Sequence, residues 1–247
     1  MDAPSVPTPL RRLRTAWSTA TPLASGLGVV GTALSVGALG LAQAFEGIDV
    51  SDTGFHLTNQ LLLATSDLPA ASPQTWLTDM IGGSWLALAE DAGLRFARLG
   101  WVLLSILTAL VAYFTARTWF SPVEACLLAV AAFLLARAYS TFIINYDTLP
   151  PLLLLIAAGR LLRIELATDP SRRDAALGGL FLGAAAASKL NLVLGLFLPL
   201  LGPAIHWIVN RQLDPARLRL ALASLGSAAI TIAAMLAGME LAGHLDE

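Results

Sequence analysis

Charge is scarce in this chain. Asp, Glu, Lys and Arg make up 13% of its 247 residues, about half the share found in a typical soluble domain. Too few ionisable groups are present to cover a water-soluble globule. Cysteine is nearly absent: Cys126 stands alone in an apolar run, which excludes a disulfide framework or a cysteine metal site within one chain. Neither sign of charge dominates, since the net charge is −2 and the basic residues are scattered, so nucleic acid is excluded as a partner.

What the chain has instead is hydrocarbon. Hydrophobic residues account for 56% of it, and the mean hydropathy is +0.71. A membrane-spanning helix needs about 20 apolar residues to cross a core of about 30 Å. This length therefore holds six to eight spans plus one sizeable loop, as a single domain over residues 1–247. The expected fold class is all-α, a polytopic membrane helical bundle.

Apolar runs occur at Pro22 to Ala44, Leu99 to Ala116, Val123 to Ser140, Leu149 to Leu162, Ala175 to Ala187, Leu192 to Val209 and Leu220 to Leu241, which makes seven. Ala42-Gln43-Ala44 also fits a signal-peptidase pattern. The first run is longer than the usual signal core of about 7–15 residues, so a retained anchor is the preferred reading. The stretch from Ala175 to Val209 would be about 52 Å long as one helix, far more than one crossing requires. It is expected to break near Ser188-Lys189-Leu190-Asn191.

Seven alternating spans place Arg11, Arg12, Arg14, Arg117, Arg160, Arg163, Arg172, Arg173, Arg211, Arg217 and Arg219 on one side, eleven of the fifteen basic residues. By the positive-inside bias that side is cytoplasmic. The N-terminal tail, residues 1–20, is then inside and the loop 45–92 outside, in an integral protein of the plasma (inner) membrane. Glycines in the first run and the Gly179-xxx-Gly183 pair allow close helix packing.

The outer loop holds seven acidic residues from Glu46 to Asp91 and no Lys or Arg. Ser72-Pro73 is a helix-start signal. After it, Leu77, Ile81, Trp85 and Leu88 form one apolar stripe at helical spacing, and Thr53 to Ser66 is a second candidate helix. Two short amphipathic helices of this kind are expected to lie at the interface, with Trp76 and Trp85 at headgroup depth.

Arg95, Arg98, Arg137 and Lys189 fall at or near the outer ends of spans, where topology does not explain them. Arg95 and Arg98 are three apart, on one helix face, and could share a phosphate or carboxylate; snorkelling is the bland alternative. Arg137 pairing with Asp147, beside Asn145, is the economical structural reading of a charge inside an apolar run. Lys189, at the expected break, could place its ammonium in an outward cavity. Asp49 and Asp52 stand where a carboxylate could deprotonate an acceptor hydroxyl or bind a divalent cation. His56, one turn after Asp52, reads more readily as a surface histidine than as a ligand.

The order of four segments resembles the GT-C superfamily of polyprenyl-phosphate-sugar-dependent glycosyltransferases, which includes the protein O-mannosyltransferases and aminoarabinose transferases. These are Asp49-Val50-Ser51-Asp52-Thr53-Gly54-Phe55-His56 and Arg95-Phe96-Ala97-Arg98-Leu99, followed by Asn145-Tyr146-Asp147-Thr148-Leu149 and by Gly179-Leu180-Phe181-Leu182-Gly183 leading into Ser188-Lys189-Leu190-Asn191. The resemblance implies transfer of a sugar from a polyprenyl-linked donor at the outer face. Asp52 is then general base or metal ligand with Asp49 second, and Arg95, Arg98, Lys189 and, more weakly, Arg137 are phosphate contacts. A divalent cation is compatible with it but not required. Members of that superfamily commonly have more spans and many carry a C-terminal soluble domain, so this chain reads as an N-terminal portion, a reduced member or an inactive relative. The alternative function is a non-catalytic lipid-handling or transport subunit.

Overall fold

The computed structural model describes residues 22–44, 50–65, 75–89, 93–136, 142–145, 147–166 and 170–243. Of these 87% are helical and none is in a strand. The helices are α1 (Pro22–Ala44), α2 (Val50–Thr65), α3 (Trp76–Leu86), α4 (Leu94–Ala116), α5 (Pro122–Ala136), α6 (Leu149–Leu166), α7 (Arg172–Ser188), α8 (Leu198–Asn210) and α9 (Pro215–Leu241). A 3₁₀ segment, Leu190–Phe197, leads into α8.

Four stretches are long and apolar enough to cross a membrane: Pro22–Ala44, Leu94–Ala116, Asn191–Asn210 and Pro215–Leu241. Their exposed side chains are hydrocarbon, among them Leu34, Leu103, Leu201 and Ile230. This is the arrangement of an integral membrane protein, whose outer surface faces lipid rather than water. The remaining helices are shorter or less apolar, although each of the seven apolar runs holds a helix over its described residues.

The break after α7 falls at Lys189, whose backbone is extended (φ −155°, ψ 112°), where the length of the run required one. Eight residues of 3₁₀ helix at about 2.0 Å rise and the thirteen of α8 at about 1.5 Å then give roughly 35 Å, a full crossing.

Two groups of three helices make up the bundle. In the first, α1, α4 and α5 pack together: Tyr113 Oη donates to Ser25 O at 3.0 Å near one end, and Arg98 donates to Ala44 O at the other. Those two bonds fix α1 antiparallel to α4. Three glycines of α1, Gly28, Gly37 and Gly40, sit on this seam. A Cβ on Gly37 would lie 3.3 Å from Ile106, one on Gly40 3.5 Å from Val102, and one on Gly28 inside the Tyr113 ring.

In the second group α7 lies between α6 and α9. Its buried face is almost all small residues, Ala175, Gly178, Gly179, Gly183, Ala184, Ala185 and Ala186, with Leu182. Gly179 and Gly183 meet the α9 backbone at Ser224 and Ala228. The sequence pair thus does what small-xxx-small spacing does in lipid, where backbones must come close to gain dispersion contacts. Gly159 of α6 against Thr115 of α4 joins the two groups.

Three helices that start at the end of the bundle carrying Arg117, Arg173 and Arg217 have side-chain caps. Ser121 and Glu124 form a reciprocal capping box on α5. Ser171 accepts from Arg173 N on α7. Asp214 accepts from Ala216 N at 2.9 Å and Arg217 N at 3.4 Å on α9, with Pro215 at the first helical position. Desolvation pulls the Asp214 pKa upward, but the backbone N–H bonds from Arg217 and Ala216 and the Arg217 charge outweigh it and hold the carboxyl below its ordinary 3.8.

A folded-state pKa below the unfolded one means the cap's contribution is complete above 3.8 and is lost as pH falls below it. Amide exchange at Ala216 and Arg217, corrected for intrinsic rates, is therefore expected to accelerate on acidification in the wild type. Asp214→Asn, which caps equally well without titrating, should show a flat profile; the same acid loss in both would refute the assignment.

Candidate functional site

The opposite end of the bundle carries a polar layer under α2 and α3. Both helices are turned inside out. On α2, Thr53, His56, Asn59 and Gln60 are buried, whereas Phe55, Leu61 and Leu62 are exposed. On α3, Thr78, Asp79, Gly82 and Gly83 are buried with Leu86, while Ile81 and Leu88 of the apolar stripe face outward. Polar side chains thus meet between these helices and the bundle beside a small apolar cluster of Leu86, Ala97 and Ile143, and the other large apolar side chains named are left to the surroundings.

The two tryptophans are not free at the surface. Trp85 stacks on Phe96 with ring centroids 4.7 Å apart and donates Nε1–H to Phe96 O at 2.8 Å. The Trp76 ring lies against Gly238 of α9. Gly82, Gly83 and Gly100 make this possible, because a Cβ on any of them would overlap Gln60 or Trp85.

Within the layer His56 Nδ1 and Asp79 Oδ1 are 3.3 Å apart, with side chains 1% and 0% exposed. His56 is therefore not a surface histidine, as the sequence suggested, but half of a buried pair. Removing either partner would leave a polar group in a low-dielectric setting, which is why such pairs persist once formed. Gln60 Nε2 donates to Ile144 O at 2.6 Å and ties α2 to the turn before α6.

That turn is built by Asn145. Its side-chain oxygen accepts from Asp147 N at 2.9 Å and Thr148 N at 3.1 Å, capping the start of α6. Asn145 is 1% exposed and serves the backbone. The same turn presents Asp147, whose carboxylate pairs with Lys189 Nζ across 42 positions of sequence. The expected partner, Arg137, lies outside the described residues; Lys189 reaches Asp147 because the α7 break and the α6 start lie side by side. Both groups keep contact with the surroundings, at 30% exposure for Lys189 and 16% for Asp147.

Arg95 and Arg98 have different surroundings. Arg95 is exposed. Arg98 is 7% exposed and its guanidinium meets Ala44 O at the C-terminus of α1, where unsatisfied carbonyls carry negative partial charge. Arg98 is thus a joint between α1 and α4. Asp52 lies in the first turn of α2, one turn ahead of His56. Asp49 and Arg137 lie outside the described residues. Among the described residues no group of three His, Cys, Asp or Glu is placed to hold a metal ion.

The residue that sequence reasoning missed is Asp79, counted only as one acid of an acidic loop. A signal existed: it sits on α3 off the apolar stripe, next to Thr78 and near Gly82 and Gly83, a face too small and polar to be lipid-facing. No family model, no curated protein and no solved structure matches the chain.

Proposed function

We propose that this protein is a membrane glycosyltransferase of the GT-C type, moving a sugar from a polyprenyl-phosphate-linked donor to an acceptor at the outer face. One observation carries the reading. The first turn of α2 with Asp52, the Asn145 turn with Asp147 and the α7 break with Lys189 belong to one end of the bundle, linked through Gln60 to Ile144 O and Lys189 to Asp147.

In this proposal the chain crosses the membrane seven times with its N-terminus cytoplasmic. Eight of the eleven basic residues among those described, Arg117, Arg160, Arg163, Arg172, Arg173, Arg211, Arg217 and Arg219, gather at the end opposite the polar layer, in keeping with the positive-inside bias. The helices α2 and α3 lie at the outer interface with their apolar sides toward lipid.

Lys189 and the exposed Arg95 supply positive charge where the donor phosphate departs, and Asp147 holds the Lys189 ammonium in place. Asp52 takes the proton from the acceptor hydroxyl as the new glycosidic bond forms and the lipid phosphate leaves. Asp49 is the second carboxylate. Arg98, with one guanidinium nitrogen donating to Ala44 O of α1, is the weaker of the two arginine phosphate contacts.

The test is the lipid that travels with the protein. Mass spectrometry of extracts from the purified full chain is expected to show a polyprenyl phosphate, about tenfold depleted in Lys189→Gln once the charge contact is lost. Absence of any polyprenyl lipid from the wild type would overturn the proposal.

A further inference from the structure

At the arginine-rich end, away from the polar layer, an open crevice of about 590 Å³ lies between α6, α8 and α9, a volume in the range of ligand pockets. Its walls are hydrocarbon, with Leu161 and Leu162 from α6, Leu201, Ile205 and Val209 from α8, and Ala221 from α9. Its charged and larger polar side chains, Glu165, His206, Asn210 and Arg217, lie toward the helix ends, and deeper in only Ser224 is polar, its hydroxyl bonded to Leu220 O.

Local sequence explains why α8 stands off. Glu165 pairs with Arg217 of α9, and its carboxylate lies against Gly202 of α8, where any Cβ would overlap it. Pro203 follows inside the helix and has no N–H to donate. A charged wedge thus holds α8 here in place of interdigitated side chains, and the apolar faces beside it stay apart. Leu201, Ile205 and Val209 are 51%, 59% and 72% exposed.

In a membrane protein such a space fills with hydrocarbon, and its polarity runs in the order of one particular molecule. The polar groups sit at the ends of α6 and α8 and the first turn of α9, at the depth of the membrane surface. The apolar wall of α8 runs from Asn210 to Leu198, about 18 Å along the helix at 1.5 Å per residue. That is a headgroup region over an acyl-chain slot.

Charge selects the headgroup. Arg217 is already taken by Glu165 and Asp214, but Arg163, Arg211 and Arg219, next in sequence to or two residues from lining residues at the same helix ends, are exposed. Among the described residues this end holds eight arginines against four carboxylates, Glu124, Glu165, Asp174 and Asp214. We infer that the crevice between α6, α8 and α9 binds one anionic glycerophospholipid of the bilayer, its acyl chain along α8 and its phosphate among the arginines at the mouth.

The full chain is placed in nanodiscs of equal phosphatidylglycerol and phosphatidylcholine, released into detergent and weighed by native mass spectrometry. The wild type is expected to retain about one phosphatidylglycerol per chain. Leu201→Trp and Ala158→Phe, which fill the slot, should retain about tenfold less. Arg211→Gln with Arg219→Gln should bind the two lipids alike. Leu201 is exposed, so its variant keeps its thermal midpoint and separates lost binding from lost folding. Equal retention in the filled variants, no retained lipid in the wild type, or a doubled protein mass with the crevice closed by a second copy would each overturn the inference. The glycerophosphate headgroup distinguishes this ligand from a polyprenyl donor, so the two proposals fail independently.

Discussion

Replacing Asp52 by Asn is expected to lower sugar transfer from a polyprenyl-linked donor by a factor of about 100 to 10,000, the usual worth of a positioned general base. Asn keeps the shape of the side chain and removes its ability to take a proton. Asp52 is the choice over Asp49 because it belongs to α2, one turn ahead of His56, and α2 is anchored at His56 to Asp79 and at Gln60 to Ile144 O. A base on an anchored helix keeps its distance from the acceptor; geometry within about 1 Å separates an effective catalytic group from a poor one.

Asp49→Asn is expected to cost much less. The assay uses membranes at matched protein level, with the thermal midpoint in detergent as the folding control. Wild-type rates in both variants would end the catalytic reading and leave a subunit that binds the lipid phosphate without chemistry. A loss in Asp52→Asn that matched a loss of thermal midpoint would also count against a base, because it would assign the residue to folding.

Helix positions were the legible part of this fold. An apolar run surrounded by hydrocarbon must satisfy its backbone hydrogen bonds internally, and each of the seven runs holds a helix over its described residues, four of them long and apolar enough to cross a membrane. The break at Lys189 was legible for the same reason, because 35 residues exceed one crossing. The α7 glycines were legible because small residues four apart have few other uses in an apolar helix.

Partners across the bundle were not. Lys189 meets Asp147 across 42 residues and Gln60 meets Ile144 across 84; a pattern along the chain does not say which turns come side by side. The Lys189 to Asp147 pairing was missed on this point, since the reading along the chain took the nearest opposite charge in sequence, Arg137, which lies outside the described residues. The inverted faces of α2 and α3 were half legible. The α3 stripe appeared in the spacing, but an apolar stripe points inward in water and outward in lipid, and the packing of Asp79 against His56 tells which. The crevice beside α8 had no signal, because it depends on Gly202 receiving a carboxylate from another helix.

The stability of the second helix group is expected to rest on two atoms that are missing. Gly179→Ala would place a Cβ inside the contact radius of Ser224 O, and Gly183→Ala one 2.5 Å from Ala228 O. Both obstacles are backbone, which cannot rotate aside as a side chain would, so α7 and α9 must separate. Ala gains about 0.8–1 kcal/mol of helix propensity over Gly, but overpacking against a fixed neighbour costs about 1–3 kcal/mol and sometimes more. Separation also loosens the dispersion contacts along the whole seam. The net expectation is a loss of about 2 kcal/mol for each Ala variant, read as a thermal midpoint lower by roughly 4–8 °C in detergent, and no folded protein for Gly179→Leu. Gly226, on α9 with nothing within 4 Å of its Cβ position, is the internal control. Its Ala variant should gain stability from propensity alone. If Gly179→Ala and Gly226→Ala shifted the midpoint alike, close backbone approach would not be what joins α7 to α9.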